Sequence, residues 1–154
     1  MATTLRLHRG RLSVRQARPG DLPALGELLS LCGLPLDGVA DHLDAFLVAL
    51  DQGRLTGSVG LERCGADGLL RSLAVHPDYR CKGLGTRLTR LALREAHRLG
   101  LRQVLLLTET ASEYFLRFQF RRVPRQQAPP AVQASVEFAS ACPETAICME
   151  RRLA

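Results

Sequence analysis

The sequence predicts an α/β domain in which helices flank a mixed central sheet. Residues 72–99 read as a strand, a basic glycine loop and a long amphipathic helix, and residues 104–107 follow as a continuous apolar run. Such a run is typical of a strand buried on both faces, and a strand–helix–strand unit places its two strands parallel. A turn at residues 51–53 between two apolar segments adds an antiparallel hairpin.

The chain before the glycine loop predicts two helices and four strands. The first helix has apolar residues at helical spacing, with Asp21 as its N-cap and Gly33 at its end. The two helices are expected over residues 22–32 and 37–43. The four strands, each bounded by turn residues, are expected over residues 12–17, 45–50, 54–62 and 68–75. Residues 1–10 are charged and favour a frayed lead-in rather than a signal peptide.

The helix that follows the glycine loop carries leucine and alanine on one face and ends at Gly100. Beyond the buried strand, the pattern predicts a short helix over residues 111–118 with Thr110 as its N-cap. The remaining elements are expected to be a strand at 120–123, a helix at 131–138 and a terminal strand at 146–153.

The composition is that of one soluble domain spanning residues 1–154. The chain is 46% hydrophobic and 23% charged, with a formal net charge of +6 that favours an anionic partner. It has neither an apolar run of about 20 residues, which a membrane span needs, nor a groove-reading helix for nucleic acid. The five cysteines include no Cys-x-x-Cys pair, which argues against disulfides and a zinc site and favours a cytoplasmic protein without a bound metal.

The motif Arg80-x-x-Gly83-x-Gly85 lies between a predicted strand and a predicted helix. Backbone N–H groups in the first turn of a helix have no intrahelical partner and attract anions, while glycines let an anion approach closely. Lys82 and Arg87 add positive charge at the same place. The loop therefore predicts a phosphate-binding site.

This loop and the order of elements resemble the GCN5-related N-acetyltransferase (GNAT) superfamily over about residues 12–153. That resemblance implies a mixed sheet of about six or seven strands. Several local strings are also similar to the acetyltransferases encoded in bacterial arsenic-resistance operons. These strings are residues 69–75 and 105–111, Glu137-Phe138, Cys142-Pro143 and Cys148-Met149.

The resemblance implies transfer of an acetyl group from acetyl-CoA to a small amine, including an amino-acid-like toxic or arsenic-containing compound. It implies that the pantetheine arm lies along one strand and that the backbone N–H near Leu73 polarises the thioester carbonyl. The residues implied in binding the cofactor are Leu73, Ala74, Val75, Arg80, Cys81, Lys82, Gly83, Leu84, Gly85, Thr86 and Phe115.

The chain departs from the superfamily pattern in two places. Cys81 stands where a glycine usually follows the arginine, which matters if that position needs a positive φ. The alternative is a functional thiol at Cys81, beside the charge of Arg80. Many relatives also have a tyrosine acid four residues before a Gly-Phe pair, whereas this chain has Phe115 before Gln119. Tyr114 is then either the displaced acid or a packing residue, with water as the proton donor.

The acceptor amine must lose a proton, so a base is required. Glu109 and Glu137 are the carboxylates best placed for it, and either is otherwise a solvated charge or a cap. Arg71, on the strand that leads to the acetyl site, is either a binding group for an anionic acceptor or a surface arginine. Ser72 and Thr108 complete the expected acceptor site together with Glu137.

Two alternatives remain at the level of sequence. The first is a non-catalytic module that binds acetyl-CoA or a metalloid, with Cys142 and Cys148 as soft ligands. The second is a basic nucleic-acid binder, which we rank last. The sequence leaves open whether the chain forms a homodimer.

Overall fold

A computed structural model of the protein describes residues 12–153, so the predicted lead-in over residues 1–10 lies outside the described residues. The strands are β1 (Leu12–Gln16), β2 (Phe46–Asp51), β3 (Arg54–Cys64), β4 (Asp67–Val75), β5 (Gln103–Thr108), β6 (Arg121–Arg122) and β7 (Ile147–Arg152). The helices are α1 (Leu22–Leu31), α2 (Leu84–Arg98), α3 (Ser112–Leu116) and α4 (Pro130–Gln133). Within residues 12–153, none of the helices is both long and apolar enough to span a bilayer.

The strands form one mixed sheet in the order β1-β2-β3-β4-β5-β7-β6, which confirms the predicted fold class. The chain divides into two compact units. The first unit comprises Met1–Val59 and Ser72–Thr89, and the second comprises Gly60–Arg71 and Arg90–Ala154. Each unit is described below on its own.

In the first unit, β1 pairs antiparallel with β2, from Leu12 opposite Asp51 to Gln16 opposite Leu47. Side chains of β2 and α1 form its apolar core, in which the most buried members are Leu25, Leu29, Phe46 and Val48. The predicted turn after β2 has positive φ at both central residues, Gln52 (+52°) and Gly53 (+82°). This geometry matches the twist of a two-residue hairpin, so the turn falls where the sequence predicts it.

In the second unit, β4 pairs parallel with β5, with Gly68 opposite Val104 and Leu69 opposite Leu105. This pairing confirms the parallel arrangement that the buried apolar run predicts. β7 then pairs antiparallel with β5 and with β6. The apolar core of this unit consists of Leu69, Leu105, Ala128, Val132, Phe138 and Cys148.

Both predicted N-caps act differently from expectation. Asp21 precedes α1 but makes no cap bond to it. Its carboxylate instead accepts the Arg18 N–H at 2.7 Å and two bonds from the Arg15 guanidinium at 2.7 and 2.9 Å. Thr110 is wrong as a cap, because α3 begins at Ser112 and the Ala111 N–H donates to the Thr108 hydroxyl at 3.0 Å.

Two expected helices are also shorter or displaced. The helix expected over residues 37–43 is a 3-10 segment at Ala40–Ala45, with non-helical dihedrals at His42. The helix expected over residues 131–138 is replaced by α4 and a separate π-helical turn at Glu137–Ala141. Ser135 explains the break, since its hydroxyl donates to the Val132 carbonyl and accepts the Phe138 N–H, and such local bonds compete with a continuous helix.

The segment between β4 and α2 contains left-handed backbone. Cys81 has φ +62° and Gly83 has φ +84°. Glycine adopts this conformation freely, whereas an L side chain is strained in it. Cys81 therefore holds a conformation that glycine adopts more readily, at the position where the resemblance implies a glycine.

We predict that Cys81→Gly raises the free energy of unfolding by about 0.5–1 kcal/mol, because it relieves the left-handed strain at a cost in chain entropy. Cys81 is exposed, so little packing is lost. Chemical denaturation of the purified variant measures the effect. Cys81→Ala is the control, since it removes the thiol but keeps a Cβ at φ +62°. A glycine variant no more stable than the alanine variant would contradict the prediction.

Candidate active site

The loop between β4 and α2 has the geometry of an anion site. A 3-10 turn at Pro77–Tyr79 follows β4, and the Arg87 N–H donates to the Gly83 carbonyl at 3.0 Å in the first turn of α2. The first turn of this 15-residue helix, at its positive end, carries the N–H groups of Leu84, Gly85 and Thr86. Left-handed residues within such turns direct successive N–H groups into a concavity that favours an anion.

Three cations surround this loop, and two of them also hold it together. Arg80 donates through Nε to the Val75 carbonyl at 3.0 Å, and Lys82 donates to the Asp78 carbonyl at 3.1 Å. Both side chains are exposed, as is Arg87 on the first turn of α2. The loop thus presents positive charge together with backbone donors.

The end of the β2–β3 hairpin supports the loop in the same unit. The Tyr79 hydroxyl donates to the Asp51 carboxylate at 2.5 Å, and both residues are buried. This bond and burial raise the pKa of Tyr79. The His76 N–H donates to the Thr56 carbonyl at 2.8 Å. The hairpin therefore fixes the turn from which the loop departs.

A conformational irregularity interrupts β4 before the residues expected to bind the cofactor. Ser72 has φ +56°, which a non-glycine residue rarely adopts within a strand. Its carbonyl accepts a hydrogen bond from the buried Ser58 hydroxyl at 2.8 Å. Such an irregularity bends a strand and redirects its main-chain groups. Beyond it, Leu73 and Val75 are half-buried and Ala74 is buried.

In the second unit, the Arg71 guanidinium lies between two carboxylates. Its Nη1 is 3.8 Å from Glu62 Oε2 and its Nε is 3.6 Å from Glu137 Oε1. The Arg71 side chain is 0% exposed, and those of Glu62 and Glu137 are 8% and 5% exposed. The alternative that Arg71 is a surface arginine is therefore wrong.

Glu137 titrates near neutral pH. Burial raises its pKa from 4.5 to about 7, Arg71 opposes this rise, and Glu62 adds to it. Cys142 makes a side-chain hydrogen bond to Glu137, and burial followed by the charge of Glu137 raises the pKa of that thiol to about 11. The charge of the exposed Glu109 also raises the pKa of the Cys142 thiol. The fold thus places Arg71 and Glu137 within one charged cluster with Glu62, and Glu109 acts on Cys142 beside it.

Tyr114 and Phe115 belong to an aromatic group in the second unit. The Tyr114 ring lies 5.0 Å from that of Phe115 and 5.1 Å from that of Phe118, and the Arg117 guanidinium lies 5.1 Å from it. Phe115 is buried, whereas Tyr114 is half-buried. Both of the alternatives for Tyr114, acid or packing residue, remain predictions.

Cys148, the second cysteine considered as a soft ligand, is buried, and this burial raises the pKa of its thiol to about 11. Across residues 12–153, His, Cys, Asp and Glu side chains form no group of three or more that could hold a metal ion.

Sequence reasoning missed Glu62, Asp51 and Ser58. Each is a buried polar residue whose partner is distant along the chain, so only the fold reveals the pair. One signal was present: Thr56, Ser58 and Glu62 occupy alternate positions of β3 and share one face of the strand. Polar residues at that spacing within an otherwise apolar strand indicate a polar layer.

Comparison with known proteins gives the family and the fold. Residues 42–122 match the family model described as an acetyltransferase (GNAT) domain, and this range contains the anion loop. N-acetylglutamate synthase from Neisseria gonorrhoeae, complexed with coenzyme A and N-acetyl-glutamate, is similar over 93% of this chain, with a TM-score of 0.80 and 24% identity. This chain covers 35% of that protein.

Two other solved structures match along nearly their whole length. Rv2747 from Mycobacterium tuberculosis, in complex with CoA and NLQ, has a TM-score of 0.78 at 22% identity. The match covers 92% of this chain and 99% of the Rv2747 chain. The PaiA N-acetyltransferase from Thermoplasma acidophilum, in complex with coenzyme A, has a TM-score of 0.66 at 16% identity. The match covers 92% of this chain and 99% of the PaiA chain. These likenesses support the fold, and the family match extends over more than half of the sequence. The chain therefore belongs to the GNAT acetyltransferase family.

Proposed function

We propose that the protein is an acetyl-CoA-dependent N-acetyltransferase that acts on a small amine. The observation that carries the proposal is the loop of residues 80–86, which opens α2 with left-handed residues, the N–H groups of the first helical turn and exposed cations. That geometry suits the pyrophosphate of CoA. Coenzyme A is bound in all three solved neighbours named above, which further supports the proposal.

In the proposed complex, the pantetheine arm runs along Leu73, Ala74 and Val75 and pairs with main-chain groups there. The Leu73 N–H donates to the thioester oxygen and stabilises the negative charge that develops on it. The left-handed Ser72 directly before it supports this assignment, because it redirects the following backbone groups.

The proposed reaction forms a C–N bond between the acceptor amine and the acetyl carbon and breaks the C–S bond of the thioester. Glu109 accepts the proton that the amine must lose. The CoA thiolate leaves and takes a proton from Tyr114 or from water. The half-buried Tyr114 hydroxyl is compatible with either route.

The acceptor that we propose is amino-acid-like and carries an anionic group. One neighbour is a synthase complexed with N-acetyl-glutamate, the acetylated form of an amino acid. Arg71 is the proposed partner of the anionic group, together with Ser72, Thr108 and Glu137. An arsenic-containing acceptor remains a prediction from the sequence strings alone.

A second candidate, a non-catalytic module that binds acetyl-CoA, is favoured by one observation. Phe115 stands where many relatives have the tyrosine acid, and the neighbouring Tyr114 ring packs against Phe115, Phe118 and Arg117. If these contacts are the whole role of Tyr114, the chain lacks the usual acid.

Thiol release from acetyl-CoA distinguishes the two candidates. We predict that a panel of amino acids and small amines contains at least one that raises the rate of thiol release well above background hydrolysis. Mass spectrometry of the product should show a gain of one acetyl group on nitrogen. Tight CoA binding, shown by calorimetry, without stimulation by any amine would favour the non-catalytic module instead.

Gly83 tests the anion loop. We predict that Gly83→Ala weakens CoA binding by about tenfold, because an L side chain at φ +84° forces the loop to shift. No atom lies within 4 Å of the added Cβ, so the effect comes from the backbone alone. Gly100→Ala is the matched control, since Gly100 has φ +69° and equally open space but lies at the far end of α2. Equal affinities of the two variants for CoA would refute the loop assignment.

The raised pKa of Glu137 predicts a pH dependence of stability. Between its unfolded value near 4.5 and its folded value near 7, the folded chain holds a proton that the unfolded chain has lost. Stability should therefore fall as pH rises through this window and level off above it, by about 3 kcal/mol from this group. Glu137→Gln, which stays neutral, should show a flatter profile in denaturant titrations from pH 4.5 to 8. Parallel profiles for the variant and the wild type would show that Glu137 is not the group responsible.

A further inference from the structure

The pair formed by Tyr79 and Asp51 joins the anion loop to the end of the β2–β3 hairpin. Tyr79 is the last residue of the 3-10 turn, directly before the loop, and Asp51 is the last residue of β2. The two residues are 7% and 9% exposed, and the hydroxyl donates to Asp51 Oδ2 at 2.5 Å. A bond between a buried hydroxyl and a carboxylate is stronger than one between neutral groups.

This bond acts at the end of the turn, directly before the loop, whereas two other polar contacts of the hairpin act at its start. Arg54 contacts His76 at 3.2 Å, and the His76 N–H donates to Thr56, so both contacts act at the start of the turn. One residue, Arg80, separates Tyr79 from the left-handed Cys81. A displacement of the Tyr79 backbone is therefore passed almost directly to the N–H groups of the loop.

The Tyr79 ring also supports a cation of the loop. The Lys82 ammonium lies 5.6 Å from the ring centroid and donates to the Asp78 carbonyl at 3.1 Å. A cation over an aromatic face at this distance is attracted to it. The ring thus restricts the Lys82 side chain, and the hydrogen bond from the Tyr79 hydroxyl to Asp51 fixes the position of the ring.

We propose that Tyr79 and Asp51 are positioning residues for cofactor binding, which fix the anion loop in its binding conformation before CoA arrives. This inference rests on the proposed function, since CoA is the ligand whose affinity it concerns. Preformed donors bind an anion more tightly than donors that must be ordered on binding. The pair therefore contributes to CoA affinity as well as to fold stability.

Calorimetric titration with CoA tests the pair. Tyr79→Phe removes the hydroxyl and keeps the ring under Lys82, and Asp51→Ala removes the acceptor. We expect each variant to bind CoA about 5- to 10-fold more weakly than the wild type. Because the two residues act as one bond, the double variant should lose no more affinity than either single variant. Asp51→Asn keeps an oxygen acceptor and should stay within about twofold of the wild type.

The control is Asp21→Ala in the same unit. Asp21 accepts two bonds from Arg15 and one from the Arg18 N–H, so its loss destabilises the fold at a site outside the anion loop. We expect this variant to unfold at lower denaturant concentration but to bind CoA as the wild type does. Amide hydrogen exchange at residues 80–86 should accelerate in Tyr79→Phe and not in Asp21→Ala, and this measurement applies even to a weakly stable variant.

The possible outcomes separate the inference from the function on which it rests. If the wild type fails to bind CoA, the proposed function fails and the inference fails with it. If the wild type binds CoA but Tyr79→Phe binds equally well, the function stands and the positioning role is overturned. Additive losses in the double variant would also overturn it, because the two side chains would then act separately.

Discussion

The turn from β4 into α2 depends on left-handed backbone at Cys81 and Gly83. An L residue pays about 1–2 kcal/mol for that conformation, so neighbouring contacts must hold it in place. Arg80 bonds back to the Val75 carbonyl, Lys82 bonds to Asp78, and Tyr79 bonds to Asp51 on the hairpin. The Tyr79 bond is buried and the other two contacts are exposed, and together they hold the backbone that directs the N–H groups of the loop.

Two departures from the pattern that the GNAT resemblance implies have left-handed backbone in this chain. Cys81 and Gln119 stand at positions where the pattern has glycine, and both have positive φ, +62° and +66°. Glycine is common in that conformation because it lacks a Cβ, and other residues tolerate it at a cost. The loop between β4 and α2 therefore holds left-handed backbone at Cys81 without a glycine at that position. Phe115 is a different kind of departure, since it removes a hydroxyl whose chemistry no backbone conformation replaces.

The sequence predicted the elements whose signals are local. The predicted end of α2 and both predicted ends of β5 lie within one residue of the observed ones, because an amphipathic period and a doubly buried apolar run do not depend on distant partners. The segment after Pro124 was less predictable, since bonds of Ser135 with its neighbours interrupt the expected helix. The position of the loop between β4 and α2 was predictable for the same reason as that of α2. The cluster of Glu62, Arg71 and Glu137 was not, because the fold alone brings these distant residues together.

That cluster places two carboxylates around one buried guanidinium. A single guanidinium balances one carboxylate, so Arg71 with both Glu62 and Glu137 ionised leaves one excess negative charge in a buried place. Burial raises the pKa of Glu137 to about 7, Arg71 opposes this rise, and the charge of Glu62 adds to it. If Arg71 binds the anionic group of an acceptor, as proposed, that group becomes a third anion around the same guanidinium. Its binding then favours the protonated form of Glu137, and the proton lost by the attacking amine must go to another base. Glu109, which is exposed, is the base that we propose for that proton.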